Sequence, residues 1–148
     1  MSGDRSETGK TQSPAQGSVQ YVFDHIHLRS PDPEATAVWF ERVFGAEVIR
    51  TIEQGKPRVD LKLGGQNIFI MPVRDGDGTN APPTTPYQGL DHFGFAVRDI
   101  DAVAAAIKAK GVEFTKEPQT SRPGIRICFL RGPQGISIEL LERDEKFV

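Results

Sequence analysis

Two aspartate–histidine pairs open two alternating apolar runs, Phe23-Asp24-His25-Ile26-His27-Leu28 and Leu90-Asp91-His92-Phe93-Gly94-Phe95. The histidines are 67 residues apart (92 − 25), too close for two ordinary domains and the right size for two small supersecondary units. Other features keep the offset. Asp32 and Asp99 precede helical patterns, Gly45 and Gly111 follow them, and Gly64-Gly65-Gln66 and Gly132-Pro133-Gln134 each lead into an apolar run. A chance pair of dipeptides would not carry a helix stop and a strand start with it, so the chain reads as an internal duplication. A metal-capable side chain repeated at the same place suggests one site shared between the halves.

At 148 residues the chain suits one compact domain with a real core. A net charge of −2 gives no reason to expect nucleic acid or a membrane surface as partner. The single Cys128 excludes an intramolecular disulfide framework and fits the cytoplasm, the expected location. Residues 1–20 are polar, without the apolar core of a signal peptide, and read as a disordered tail. The domain is expected over 21–143, with a first module near 21–74 and a second near 88–143.

Each half predicts strand, helix and three strands, an α+β architecture of two tandem βαβββ modules. In the first, 22–30 alternates and stops at Ser30-Pro31-Asp32-Pro33. Residues 33–44 carry Ala37, Phe40, Val43 and Phe44 at helical spacing before Gly45. Strands near 46–53, 57–63 and 66–73 follow. The second half predicts a strand over 90–98, a helix over 100–110, and strands near 112–117, 124–131 and 135–142. Asp75 to Pro86 is a loop long enough to border a cleft.

Side chains at i and i+2 share a face of a strand. Ile26 and Leu28 therefore face one way, and His25, His27 and Arg29 the other. The same parity sets Phe93 and Phe95 against His92, Gly94 and Ala96, and Ile136, Ile138 and Leu140 against Ser137 and Glu139. The aliphatic side must lie under the helices. His25, His27, His92 and Glu139 then face a concavity, and small Gly94 and Ala96 leave room for a ligand.

Two imidazoles and a carboxylate are ligands for a divalent ion, and with open positions they match the facial triad of non-haem Fe(II) enzymes. A single histidine at a strand start is ordinarily just hydrogen-bonded. Two at equivalent positions with a carboxylate on the same face point to His25, His92 and Glu139 as ligands of one divalent metal. Fe(II) is favoured, with Mn, Ni, Zn or Co as alternatives.

These motifs resemble the vicinal oxygen chelate superfamily, which includes glyoxalases, epimerases, extradiol dioxygenases and bleomycin- or fosfomycin-resistance proteins. The two Asp-His starts, the helix ending Val43-Phe44-Gly45-Ala46-Glu47 and the run Gly132-Pro133-Gln134-Gly135-Ile136-Ser137-Ile138-Glu139-Leu140 carry the likeness, over about residues 22–142. It implies paired βαβββ modules curled around a metal, a small-molecule substrate and a homodimer. Glyoxalases and related epimerases usually place a further Glu or Gln at the end of the first module's fourth strand. Aligning Gln66 with Gln134 puts Met71 there, or Ile70 one residue earlier. Neither binds a hard ion. The remaining ligand set favours dioxygen-dependent, extradiol-type ring cleavage. A glyoxalase-like lyase or epimerase is the alternative, and a drug- or metabolite-binding protein without turnover is a third reading. His27 is the candidate acid or base beside the metal. Phe69 and Met71 are expected as apolar cleft wall, and Tyr87 and Arg126 as groups holding a substrate carboxylate or phenolate.

Overall fold

The first helix is defined by a cap, a stripe and a stop, all local to the sequence. The Asp32 side chain accepts from the Ala35 N–H at 3.1 Å, Pro33 opens the helix, and Gly45 closes it at φ 69°, where its N–H reaches the Glu41 carbonyl. Thr36, Ala37, Phe40 and Val43 form the buried stripe between them. The computed structural model describes residues 19–144. Its order is β1 (His25–Ser30), α1 (Pro33–Phe44), β2 (Glu47–Glu53), β3 (Lys56–Leu63), β4 (Gln66–Pro72), β5 (Phe93–Ala96), α2 (Ile100–Ala109), β6 (Phe114–Arg122), β7 (Ile125–Arg131) and β8 (Ser137–Arg143). The tail expected at residues 1–20 lies outside the described residues, apart from Val19 and Gln20.

Two four-stranded mixed sheets result, with orders β1-β4-β3-β2 and β5-β8-β7-β6. In each, the first strand pairs parallel with the fourth, and the other neighbours are antiparallel. This is the expected α+β pair of βαβββ modules. Leu28, Ile68 and Ile70 in one sheet and Ile138 and Leu140 in the other are buried with the helices, as parity requires. β1 begins only at His25, where pairing to Asn67 begins. Tyr21 and Val22, short of that register, are 91% and 86% exposed. No helix among the described residues is long and apolar enough to cross a membrane.

The modules meet through α1 and the turn entering β8. Phe44 packs on Phe95 with ring centroids 5.3 Å apart. Gly132 lies so close to Trp39 and Ile138 that a Cβ there would stand 3.4 and 3.2 Å from their side chains. Arg42 donates to the Lys110 carbonyl at 2.8 Å, and Lys110 returns a bond to the Arg42 carbonyl at 2.9 Å.

A buried hydroxyl relay ties these parts together. Thr36 donates to the Gln134 side-chain oxygen at 3.3 Å, so its oxygen takes its proton from Ser30 at 2.8 Å, and Ser30 in turn accepts from the Asp32 N–H at 3.0 Å. Thr36→Val, nearly isosteric, strands the Ser30 hydroxyl in an apolar setting. We expect a loss of about 1–3 kcal/mol in urea unfolding; an unchanged midpoint would show that the relay contributes nothing to stability.

Candidate metal centre

In the second module the β5–β8 register sets Gly94 opposite Glu139. A Cβ on Gly94 would lie 3.4 Å from the Glu139 Cβ, so the glycine gives that side chain room. The Glu139 carboxylate reaches the Nε2 of His92 at 3.1 Å. The other ring nitrogen of His92, Nδ1, bonds to Asp91 at 2.8 Å. Asp91 also accepts from the Tyr87 N–H at 3.1 Å. Its carboxyl is held below the usual range, first by the His92 bond and then by the Tyr87 N–H. An ionised Asp91 accepts only, so Nδ1 must donate. In a neutral ring Nε2 then presents a lone pair to an anionic oxygen. Such a pair is repulsive until a cation, proton or metal ion, stands between them.

The first module repeats half of this device. His25 bonds through Nδ1 to Asp24 at 2.6 Å and stacks on Phe69, centroids 4.4 Å apart. His27 lies on the same face, 6.2 Å from His25 between ring centroids. Its pKa is lowered, chiefly by burial and then by the charge of Arg29. Arg58 sits 5.1 Å above the Phe69 ring, held by Asp60 at 2.7 Å and Glu53 at 3.0 Å.

The structure thus brings His92 and Glu139 together and gathers His25, His27 and Phe69 on the other sheet. Among the described residues no three His, Cys, Asp or Glu side chains stand close enough to hold an ion. Tyr87 offers its backbone N–H to Asp91. Arg126 lies on the helix side of its sheet, bonded to Asp101 of α2 at 2.7 Å, away from the face of His92 and Glu139. Its parity with buried Cys128 and Leu130 already marked that side.

The register also corrects the position equivalent to Glu139. His27 and Gly94 share the 67-residue offset (94 − 27), and their cross-strand partners are Phe69 and Glu139. The first module therefore has Phe69, not Met71 or Ile70, where the second has its carboxylate. The alignment of Gln66 with Gln134 misled because they do different work. Gln66 already lies in β4, while Gln134, at φ 56°, lies in a 3₁₀ turn ahead of β8. Met71 pairs with Arg29, one step further along the same face. Sequence reasoning passed over Asp24 and Asp91 as partners of the histidine rings, although both stood in the repeated dipeptide.

The donor set suits a first-row divalent ion. Imidazole nitrogens oriented by carboxylates behind them, with a carboxylate oxygen at the same point, are what such a site needs. A family model, the Glyoxalase/Bleomycin resistance protein/Dioxygenase superfamily, matches residues 22–140. The chain belongs to this superfamily. A relative from Arabidopsis thaliana described as a probable chloroplastic lactoylglutathione lyase is 41% identical over 124 residues, covering 80% of this chain and 35% of the relative. The lactoylglutathione lyase of Haemophilus influenzae is 27% identical, with 80% of this chain and 90% of that protein covered. The chain spans less than half the length of its plant and yeast relatives. Among solved structures, a glyoxylase/bleomycin resistance protein/dioxygenase domain from Frankia sp. is 26% identical at a TM-score of 0.66, covering 86% of this chain and 95% of that one.

If Asp91 orients the His92 ring, Asp91→Ala should weaken divalent-metal binding by roughly 10–100-fold in equilibrium dialysis. The unfolding midpoint should stay at that of the parent. Undiminished metal affinity would remove Asp91 from the site.

Proposed function

We propose that this protein is a divalent-metal enzyme acting on a small molecule, with His25, His92 and Glu139 as the protein ligands and a glyoxalase-like lyase or isomerase reaction. The observation that carries this reading is the His92–Glu139 pair backed by Asp91, together with its echo in Asp24–His25. The relatives' description as lactoylglutathione lyases favours the lyase class over ring cleavage. Bound there, a divalent ion would take two vicinal substrate oxygens and lower the pKa of the adjoining groups. His27, on the face of His25, is assigned the proton transfer between neighbouring carbons. Phe69 and Phe129, against His25 and His92, wall the cleft. Cys128 takes no part: burial pushes its thiol to about 11. The proposed setting is the cytoplasm.

One observation favours the second reading, dioxygen-dependent cleavage. Phe69 replaces a carboxylate at the fourth ligand position, which leaves space for both a chelating substrate and a diatomic gas. A panel separates the two: hemithioacetals of α-oxoaldehydes with glutathione and with aryl thiol acids, and substituted catechols, each on an oxygen electrode. We expect turnover of a hemithioacetal without oxygen uptake. Oxygen consumption with a catechol and none of the former activity would transfer the assignment to the dioxygenases.

We further assign the three ligands to two copies of the chain, one giving its first-module face and the other its second. Among the described residues, His25 has ring and hydrogen-bond partners only in its own module, as do His92 and Glu139. Tyr21, Val22 and Phe23 lie bare beside His25, as does Leu90 beside Asp91, a strip suited to cover by another chain. His25→Ala and His92→Ala should each lose stoichiometric metal. Refolded as an equimolar mixture, they should regain about a quarter of it, because half the dimers are mixed and a mixed dimer holds one intact site of two. A mixture as empty as its components would place the site within one chain.

His27→Gln should keep its metal while turnover on the accepted substrate falls by about 10²–10⁴. Parental turnover would relieve His27 of its role, and metal loss would make it a ligand.

A further inference from the structure

At the far end of the first sheet from His25 lies a cavity of about 1000 Å³. It opens where β1 and β4 end, beneath the β2–β3 hairpin and beside the first residues of the inter-module loop. Arg29 is on its wall, four residues along β1 from His25, or roughly 13 Å at strand rise. Met71, the cross-strand partner of Arg29, continues the floor that Phe69 begins.

Two properties of the lining stand out. Its apolar part is open: Met71, on the face of Arg29, is 36% exposed, and Ile52, on the opposite face with Pro57, is 73% exposed. Its lining carries five cations, Arg29, Arg50, Lys56, Arg58 and Arg74, and four acids, Asp32, Glu34, Glu53 and Asp77. Arg50 is paired with Glu34, and Arg58 with Glu53 and Asp60. The two other lining acids accept from backbone N–H groups, Asp32 from Ala35 and Asp77 from Arg74 and Thr79, and the charge of Arg29 also acts on Asp77. The side chains of Arg29, Arg74 and Lys56 have no acceptor among the described residues.

We propose that this cavity receives the non-reacting end of the substrate, and that this end is an amphipathic organic acid. Its carboxylate lies between Arg29 and Arg74, and its apolar body lies against Met71 and Phe69, on the same face of the sheet as Arg29. A guanidinium pair binds a carboxylate through charge-assisted hydrogen bonds, while the open apolar lining gains from covering. The assignment as a substrate end rests on the metal-enzyme reading above. Binding to the cavity does not, and the test uses binding alone.

Decanoate is the probe, titrated by calorimetry into the full chain with and without added Mn(II). We expect decanoate to bind at least tenfold more tightly than decan-1-ol, with the same affinity whether or not metal is present. Arg29→Gln and Arg74→Gln should each weaken it roughly tenfold or more, with circular dichroism unchanged. Met71→Asp should weaken it comparably by placing a charge against the alkyl chain. Arg98→Gln, in the separate cavity of the second module, should leave it alone. Reduced glutathione, whose carboxylates ride on a polar body, should compete at least tenfold less well than decanoate. The proposal is overturned if decanol matches decanoate, if both arginine variants bind like the parent, or if glutathione outcompetes decanoate. Decanoate binding by a chain that retains no metal would uphold the cavity and defeat the enzyme reading. The reverse result would do the opposite.

Discussion

The parallel pairing of the first and fourth strands in each module is the constraint on which everything else depends. It makes neighbours of residues far apart in the chain, such as His92 and Glu139, 47 positions apart. A parallel pair cannot be joined by a tight turn, so each module needs a crossover, and α1 and α2 begin it. Once a helix covers one face, strand parity commits every alternate residue to that side and delivers the rest to the open side. The histidines reach the open face as a consequence of this packing.

Charge explains the local construction around those rings. His92 stands between two carboxylates, one behind Nδ1 and one at Nε2. Asp91 fixes which nitrogen carries the proton, so the other turns its lone pair toward Glu139. His25 has the rear carboxylate, Asp24, and the ring of Phe69 stacks on its face. One half of the duplication therefore concentrates negative charge, and the other offers a nitrogen beside an aromatic surface.

What the sequence disclosed and what it withheld divide along the range of the interactions. α1 was legible to the residue because Asp32, Pro33 and Gly45 act within one turn of its ends. Facing was legible because parity needs only neighbours: Leu28, Ile68 and Leu140 went in, His25 and Glu139 did not. The β4 register was not, since it depends on whether the chain pairs at once, as Gln66 does, or first makes a turn, as at Gln134. The partition of the three proposed ligands between two faces was beyond reach for the same reason. It follows from Phe44 on Phe95 and Trp39 against Gly132, contacts between modules that leave no periodic trace.

The divergence of the two modules at one matched position decides what the cleft can hold. In the second module Gly94 and Glu139 face each other; in the first the same places are His27 and Phe69. A glycine beside a glutamate frees the carboxylate to turn toward His92. A histidine beside a phenylalanine supplies no carboxylate at that position, and Asp60 on the next strand is engaged by Arg58 and the Ile70 N–H. A divalent ion held by two neutral imidazoles and one carboxylate keeps a net positive charge. An electrostatically balanced complex then requires the substrate itself to supply the missing anion. A second glutamate at Phe69 would cancel that demand and fill the position the substrate needs. With the proposed ligands, an anionic, chelating substrate would balance that charge better than a neutral one.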